Sequence, residues 1–298
     1  MSFPVFTVAD LASGLRGLTP RPLLAVFGDP VAHSRSPQMH NPALRAREID
    51  GQYIRLHVRA EEFRDALRLC QEAGFAGVNC TIPHKFAALE AADEVDPHAA
   101  QLGAVNTIVF RSGIMLGFNS DGPGLQRAIT EAFNVPLSGL RIAILGAGGG
   151  AGRAAAAQCV SDHCRSLMLL NRTHSKSAAL AKELTASFPT NAVTAPVHMD
   201  FTEIDLIINA TSVGMNENDR ELVPAAAWKP EHLVYDMVYS PPQTSLLRAA
   251  AAAGARVANG LSMLLHQGAV SFEHWFGAPA PLGAMRRGLE RSFSREES

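Results

Sequence analysis

Charge is scarce in this chain. Asp, Glu, Lys and Arg make up 18% of its 298 residues, below the quarter or so usual for globular domains. What charge there is nearly cancels, with 26 Lys and Arg against 28 Asp and Glu and a formal net charge of −2. No broad basic field is left to hold a polyanion, which argues against nucleic acid as a main partner. A small anionic ligand stays open, because it needs only one local pocket. Cysteine is equally sparse: Cys70, Cys80, Cys159 and Cys164 include no C-x-x-C pair, so reduced, buried thiols are expected and not a disulfide framework. Long apolar runs are missing too. The Ala-rich stretch around Ala249–Ala253 is far too short to span a bilayer, so no membrane partner is expected. The first residues have no basic start and carry Asp10, a poor signal peptide. No metal-ligand spacing links His33, His40 and His84, so no metal is expected.

What is abundant is apolar: the hydrophobic set reaches 47%, which excludes a disordered chain. The length suggests about two domains, and the class reads as soluble, globular and cytoplasmic. Short apolar segments alternate with amphipathic ones. Residues 23–27, 53–57, 76–80 and 107–110 read as strands, with helices over 37–48 and 61–73 between them. Such alternation implies a mostly parallel sheet with right-handed crossovers. A helix over 121–133 follows, opened by Asp121 as its N-cap. A second alternation then places strands at 142–145, 167–170, 206–209 and 233–236, and two further helices run over 261–276 and 281–293. The expected fold is therefore two α/β units.

The sharpest local signal is the strand 142–145 followed by Gly146-Ala147-Gly148-Gly149-Gly150-Ala151-Gly152 and an Ala-rich helix. This fits G-x-G-x-x-A between a strand and a helix, the context a dinucleotide fold requires. Gly146 allows the tight turn, Gly148 lets backbone N–H groups approach a pyrophosphate, and Ala151 is expected to let helix and strand pack closely. The helix N-terminus faces the phosphates with its partial positive charge. The end of the next strand selects the dinucleotide. An NAD site expects an acidic residue there; here stand Asn171-Arg172-Thr173, with Lys176 one turn later. Arg, a hydroxyl and Lys suit a 2′-phosphate through charge-assisted bonds. An exposed arginine at a helix start is the bland alternative, and its position at the strand end tips the choice to NADP.

In the first half, polar clusters fall at strand ends, where α/β sheets put their ligands. They are His33-Ser34-Arg35-Ser36-Pro37, Asn79-Cys80-Thr81-Ile82-Pro83-His84-Lys85, Gly103-Ala104-Val105-Asn106-Thr107 and Asn119-Ser120-Asp121-Gly122. Each has a bland reading of its own. Ser36-Pro37 could be an N-cap with an N1 proline, Asp121 a cap, Lys85 a solvated surface lysine, and the histidines structural.

Together the segments resemble the shikimate dehydrogenase family, from about Leu23 to about Phe276. The match includes H-S-R-S-P-x-x-H-N, N-x-T-x-P-H-K, G-A-V-N-T, N-S-D-G, the glycine turn and N-R-T. It continues through Asn209-Ala210-Thr211-Ser212-Val213-Gly214-Met215, Asp236-Met237-Val238-Tyr239, Gly260-Leu261-Ser262-Met263 and Gln267. The resemblance implies an N-terminal substrate domain over 1–121 joined by 260–298, and a Rossmann-type NADP domain over 122–259. It implies that Ser34 and Ser36 grip the substrate carboxylate with Tyr239 nearby, and that Thr81, Asn106, Asp121 and Gln267 bind the ring hydroxyls. Lys85 matches the catalytic lysine, paired with Asp121. Thr211, Ser212, Met215, Met237, Gly260 and Met263 fall in segments lining the nicotinamide side. The implied activity is reversible NADPH-dependent reduction of 3-dehydroshikimate to shikimate in aromatic amino-acid biosynthesis. Monomers and homodimers both occur in the family. Rival readings are a quinate/shikimate dehydrogenase, a paralogue acting on a related ring acid, and a redox sensor that binds NADP without turnover. Retention of both Ser34 and Ser36 favours shikimate over quinate, and the Lys85/Asp121 pair speaks against the sensor.

Overall fold

A computed structural model describes residues 3–15, 17–187, 193–197, 200–216 and 218–293. The chain forms two compact units, Met1–Ser120 with Gln267–Ser298, and Asp121–His266.

In the first unit the elements run β1 (Val5–Thr7), α1 (Val8–Ala12), β2 (Pro22–Gly28), α2 (Ser36–Ala46), β3 (Gln52–His57), α3 (Phe63–Glu72), β4 (Gly77–Cys80), α4 (Lys85–Ala91), β5 (Glu94–Val95), α5 (Pro97–Leu102), β6 (Thr107–Arg111) and β7 (Ile114–Phe118). They build a seven-stranded sheet in the order β1-β3-β2-β4-β6-β7-β5. The run β1-β3-β2-β4 is parallel, as alternating strands and helices dictate. Strands β2 and β4 are buried on nearly every residue, the pattern of a strand covered on both faces. Helix α3 contributes Phe63, Ala66, Leu67 and Cys70 to the core, an i, i+3, i+4, i+7 stripe, against Phe27, Leu56, Val78 and Ile108.

The strand read at 107–110 exists but pairs antiparallel to β4, with Asn79 opposite Thr107. Its hairpin partner β7 escaped the strand reading. The two are joined at Ser112 (φ 53°) and Gly113 (φ 85°), a two-residue loop with both φ positive. This reversal puts the amino end of β6 and the carboxyl end of β7 at the same sheet edge as the carboxyl ends of β2 and β4.

The second unit runs α6 (Asp121–Phe133), β8 (Arg141–Leu145), α7 (Gly150–Ser161), β9 (Ser166–Leu170), α8 (His174–Ser187), β10 (Val193–Thr194), β11 (Leu206–Asn209), β12 (Leu233–Asp236), α9 (Ser245–Ala252) and β13 (Arg256–Asn259), and into α10 (Leu261–Phe276). Its six strands, ordered β10-β9-β8-β11-β12-β13, pair in parallel throughout. The strand order reverses between β8 and β11, the switch point where doubly wound sheets place a ligand. Residues 267–276 of α10 and the last helix, α11 (Leu282–Phe293), count with the first unit. Among the described residues no helix is long and apolar enough to cross a membrane.

Candidate active site

The sheet edge of the first unit collects the polar clusters. Ser34 and Ser36 follow β2. The Ser34 hydroxyl lies 3.2 Å from that of Ser36 and accepts the Ser36 amide at 3.3 Å. The capping alternative fails for Ser36: it is the first residue of α2, the cap is Arg35, and Arg35 makes no side-chain capping bond. The two hydroxyls thus sit together, with only that of Ser34 also accepting the first amide of α2.

After β4, Thr81 donates its amide to Phe27 O at 2.9 Å, and Asp29 donates to Ile82 O at 3.0 Å. These bonds lash the 81–84 loop to the end of β2. Lys85 opens α4 half-buried, and its carbonyl accepts the Val105 amide at 3.0 Å. The sequence therefore puts Lys85 on a braced helix start and not on a free surface.

Asn106 is buried one residue before β6. Its carboxamide oxygen accepts the Ser120 amide at 2.8 Å and the Thr107 hydroxyl at 2.9 Å, and its Nδ2 donates to the Ser120 hydroxyl at 3.0 Å. Behind it lies a buried polar lattice that the sequence reading left without a role. The Tyr53 hydroxyl donates to Asn79 Oδ1 at 2.8 Å, and Asn79 Nδ2 donates to Thr107 Oγ1 and Ser271 Oγ at 3.1 and 3.0 Å. Ser271 Oγ donates in turn to the carbonyl of Gln267 at 3.0 Å, which anchors the turn that carries Gln267. Burial drives the Tyr53 phenol well above its ordinary pKa, so it stays a neutral donor. A strand motif placing Asn79 two residues before Thr81 was the signal that could have found this lattice.

The histidines of this unit divide by burial. His40 is wholly enclosed, stacked on Tyr53 at 4.5 Å with Trp275 edge-on at 5.3 Å, and burial pushes its pKa down to about 3. His84 is buried and its Nε2 lies 2.7 Å from Val58 O. Both pack the interior, whereas His33 is exposed.

The second unit holds a cleft of about 720 Å³ at the switch point, lined by Gly146, Gly148, Gly149, Asn171, Arg172, Thr173, Lys176, Thr211 and Ser212 among others. Gly146 has φ 83°, a conformation that favours glycine. Gly149 is the N-cap of α7 and makes no side-chain capping bond, so the helix start beside the cleft keeps its partial positive charge. Asn171 is the brace of this cleft: its Oδ1 accepts the Gly148 amide at 3.2 Å, and its Nδ2 donates to Thr173 O at 2.9 Å. Close helix–strand packing falls to Gly152 and not to Ala151. A Cβ at Gly152 would stand 2.3 Å from Gly146 O.

Arg172 and Lys176 are exposed at the cleft. Arg220 lines it as well and was not anticipated. It comes from a loop pinned by Asp219, whose carboxylate accepts the Gly214 and Asn216 amides at 2.7 and 3.1 Å; no periodicity marks such a residue in advance. A helix start with no side-chain cap beside three cations suits a pyrophosphate with a further phosphate on its ribose.

At the far side of the switch point, Thr211 donates its hydroxyl to Asn209 Oδ1 at 2.7 Å, and Asn209 Nδ2 donates to the buried Asp236 at 2.8 Å. Burial raises the Asp236 pKa, and the Thr244 hydroxyl donates to it at 2.6 Å. Ala147, Gly150, Ala151, Met215, Met237, Gly260 and Met263 do not line this cleft. Ala147 is fully buried, and Met215 is 57% exposed. Asp121 and Tyr239 also belong to this unit, half-buried; Asp121 is the first residue of α6 and not its flanking cap.

Comparison with known proteins gives the same two-part pattern. The family described as shikimate dehydrogenase substrate binding domain matches residues 26–108, shikimate / quinate 5-dehydrogenase matches 128–236, and shikimate 5'-dehydrogenase C-terminal domain matches 260–290. The chain is 37% identical over 277 residues to the shikimate dehydrogenase (NADP(+)) of Desulforamulus reducens, covering 91% of this chain and 95% of that one. Among solved structures it is similar to shikimate 5-dehydrogenase from Thermus thermophilus in complex with NADP(H) and shikimate, with TM-score 0.81, 37% identity and coverage of 90% and 98%. It is also similar to ligand-free 5-ketofructose reductase of Gluconobacter sp., with TM-score 0.84, 30% identity and coverage of 91% and 98%.

Proposed function

The chain belongs to the shikimate dehydrogenase family, and from that premise we propose that it reduces 3-dehydroshikimate to shikimate reversibly with NADPH, a step of aromatic amino-acid biosynthesis. The observation that carries this reading is the pairing of two built features. One is the serine pair, Lys85 and Asn106 at one sheet edge; the other is a glycine-lined cleft with three cations.

NADP falls to the second unit, and most substrate groups to the first, with Asp121 and Tyr239 coming from the second. When bound, NADP(H) supplies or takes the hydride. The side-chain-free turn at Gly146, Gly148 and Gly149 gives its pyrophosphate room to approach the start of α7, while Arg172, Thr173 and Lys176 face its ribose phosphate. Ser34 and Ser36 donate their hydroxyls to the ring carboxylate, with Tyr239 as a third hydroxyl. Thr81, Asn106, Asp121 and Gln267 hold the ring hydroxyls.

Ketone reduction builds negative charge on an oxygen, and a proton must arrive there. The Lys85 ammonium stabilises that charge and delivers the proton; in the oxidative direction it takes the proton of the alcohol. Asp121 is assigned as the second acid–base group, a carboxylate accepting a hydrogen bond from a ring hydroxyl. A cytoplasmic setting belongs to the same reading, since all four cysteines are free and buried.

The test is an assay of purified protein with shikimate and with quinate, each with NADP⁺ and NAD⁺. The expected result is fastest turnover with shikimate and NADP⁺. Preference for quinate would move the chain to a related ring acid, and no oxidation of any pair would overturn the enzyme reading.

A further inference from the structure

Arg55 is a buried cation answered only by neutral groups. It lies in the middle of β3 and is 4% exposed. Its Nε and Nη2 donate to the carbonyl of Ser34 at 2.8 and 2.5 Å, its Nη1 to that of Phe3 at 2.7 Å, and Nη2 also reaches the Gln38 amide oxygen. Among the described residues no carboxylate pairs with it. Burial and the neighbouring charge of Arg35 both lower its pKa, yet a guanidinium keeps its proton in proteins. A charge taken out of water without an opposite charge is costly. Neutral carbonyls satisfy its donors and leave its charge unanswered.

The carbonyl that Arg55 grips belongs to Ser34, the residue whose hydroxyl touches that of Ser36. Two hydroxyls recognise a carboxylate by hydrogen bonds and bring no net charge. We propose that Arg55 is a positioning residue that supplies the counter-charge for the substrate carboxylate from behind Ser34, and so makes the site select anionic ring acids over neutral ones. This rests on the assignment of Ser34 and Ser36 to the carboxylate. The low-dielectric surroundings extend the reach of the Arg55 field.

The experiment compares shikimate with its neutral methyl ester, using NADP⁺, in the wild type, Arg55→Met and Arg55→Lys. The wild type is expected to favour the acid over the ester by at least tenfold in kcat/KM. Arg55→Met should cut that preference by on the order of tenfold, a modest value for one buried charge near another. Arg55→Lys should keep most of it, and the KM for NADP⁺ should stay at the wild-type value in both. Equal losses for acid and ester in Arg55→Met would reduce Arg55 to a structural tie and overturn the proposal. If Arg55→Met does not fold, the neutral but hydrogen-bonding Arg55→Gln takes its place, and an acid/ester ratio unchanged from the wild type in that variant overturns the proposal. Absence of turnover with shikimate in the wild type would instead remove the proposed reaction, and this inference with it.

Discussion

A single side chain decides each half of the proposed chemistry. Lys85 begins α4, braced through its carbonyl by Val105, so truncating its side chain leaves the backbone supports in place. Lys85→Ala should lower kcat by about 100-fold or more, the scale of acid–base catalysis. NADPH affinity, read by fluorescence titration, should be unchanged; turnover like that of the wild type would remove Lys85 from the mechanism. In the other unit, Arg172→Ala should raise the KM for NADPH by roughly tenfold, one charge-assisted contact, and leave that for NADH nearly unmoved. Lys176 and Arg220 also line the cleft, so the loss stays partial. Equal effects on the two cofactors would separate Arg172 from the 2′-phosphate. Arg172 was legible in the sequence because a strand end fixes where its side chain can stand. Arg220 and Arg55 were not. The first owes its place to a loop held by Asp219, and the second reads as an ordinary strand residue until the parallel neighbours bury it.

At the scale of elements, the glycine turn shows both how far pattern reasoning reaches and where it slips. The strand-turn-helix context was plain, and β8, α7 and β9 stand where the pattern put them. The identity of the residue at closest approach was not plain, because seven small residues in succession, 146–152, satisfy the same pattern in several ways. Geometry separates them: a Cβ at Gly152 would meet Gly146 O at 2.3 Å and Ala147 Cα at 2.8 Å, whereas one at Gly150 meets nothing within 4 Å. The obstacle at Gly152 is backbone and cannot swing aside. Gly152→Ala should therefore destabilise by about 1–3 kcal/mol, as overpacking does, and weaken NADP⁺ binding by shifting the turn. Gly150→Ala should leave the thermal midpoint level or raise it, since alanine in a helix gains about 0.4–1 kcal/mol over glycine. Paired melting curves with and without NADP⁺ check both, and a harmless Gly152→Ala would refute the assigned packing. The β6–β7 hairpin tells the opposite story. Its turn is the dipeptide Ser112-Gly113, which the sequence reading passed over, and Ile114–Phe118 alternates too weakly to announce a strand.

For the whole molecule, near-neutral net charge concealed charges that are local and buried, and buried titratable groups make stability depend on pH. His40, closed in by Tyr53 and Trp275, has a pKa held down to about 3 by burial, against about 6.5 for an unfolded chain. The unfolded state therefore takes up a proton as pH falls through 6.5, while the folded state stays neutral until near 3. Stability from this residue is complete above pH 6.5 and drains away below it, by at most about 1.4 kcal/mol per pH unit. Burial lowers the pKa of His84 as well, adding a loss of the same sign. Carboxylates with depressed pKa values, such as Asp10 and Glu62, lose their contribution only as pH falls below their ordinary range near 4. The interval from pH 7 to pH 5 thus isolates the histidines. The chain has two tryptophans, Trp275 in the unit of His40 and Trp228 in the other, so Trp228→Phe leaves Trp275 as the single reporter. In that background the midpoint seen by Trp275 should fall clearly between pH 7 and pH 5. Adding His40→Phe keeps a flat ring against Tyr53 and removes the proton, so the fall should shrink to the remainder due to His84, whatever the variant's absolute stability. An unchanged slope would mean that His40 takes up its proton at the same pH folded and unfolded, and that its enclosure between Tyr53 and Trp275 opens to water well before the unit unfolds.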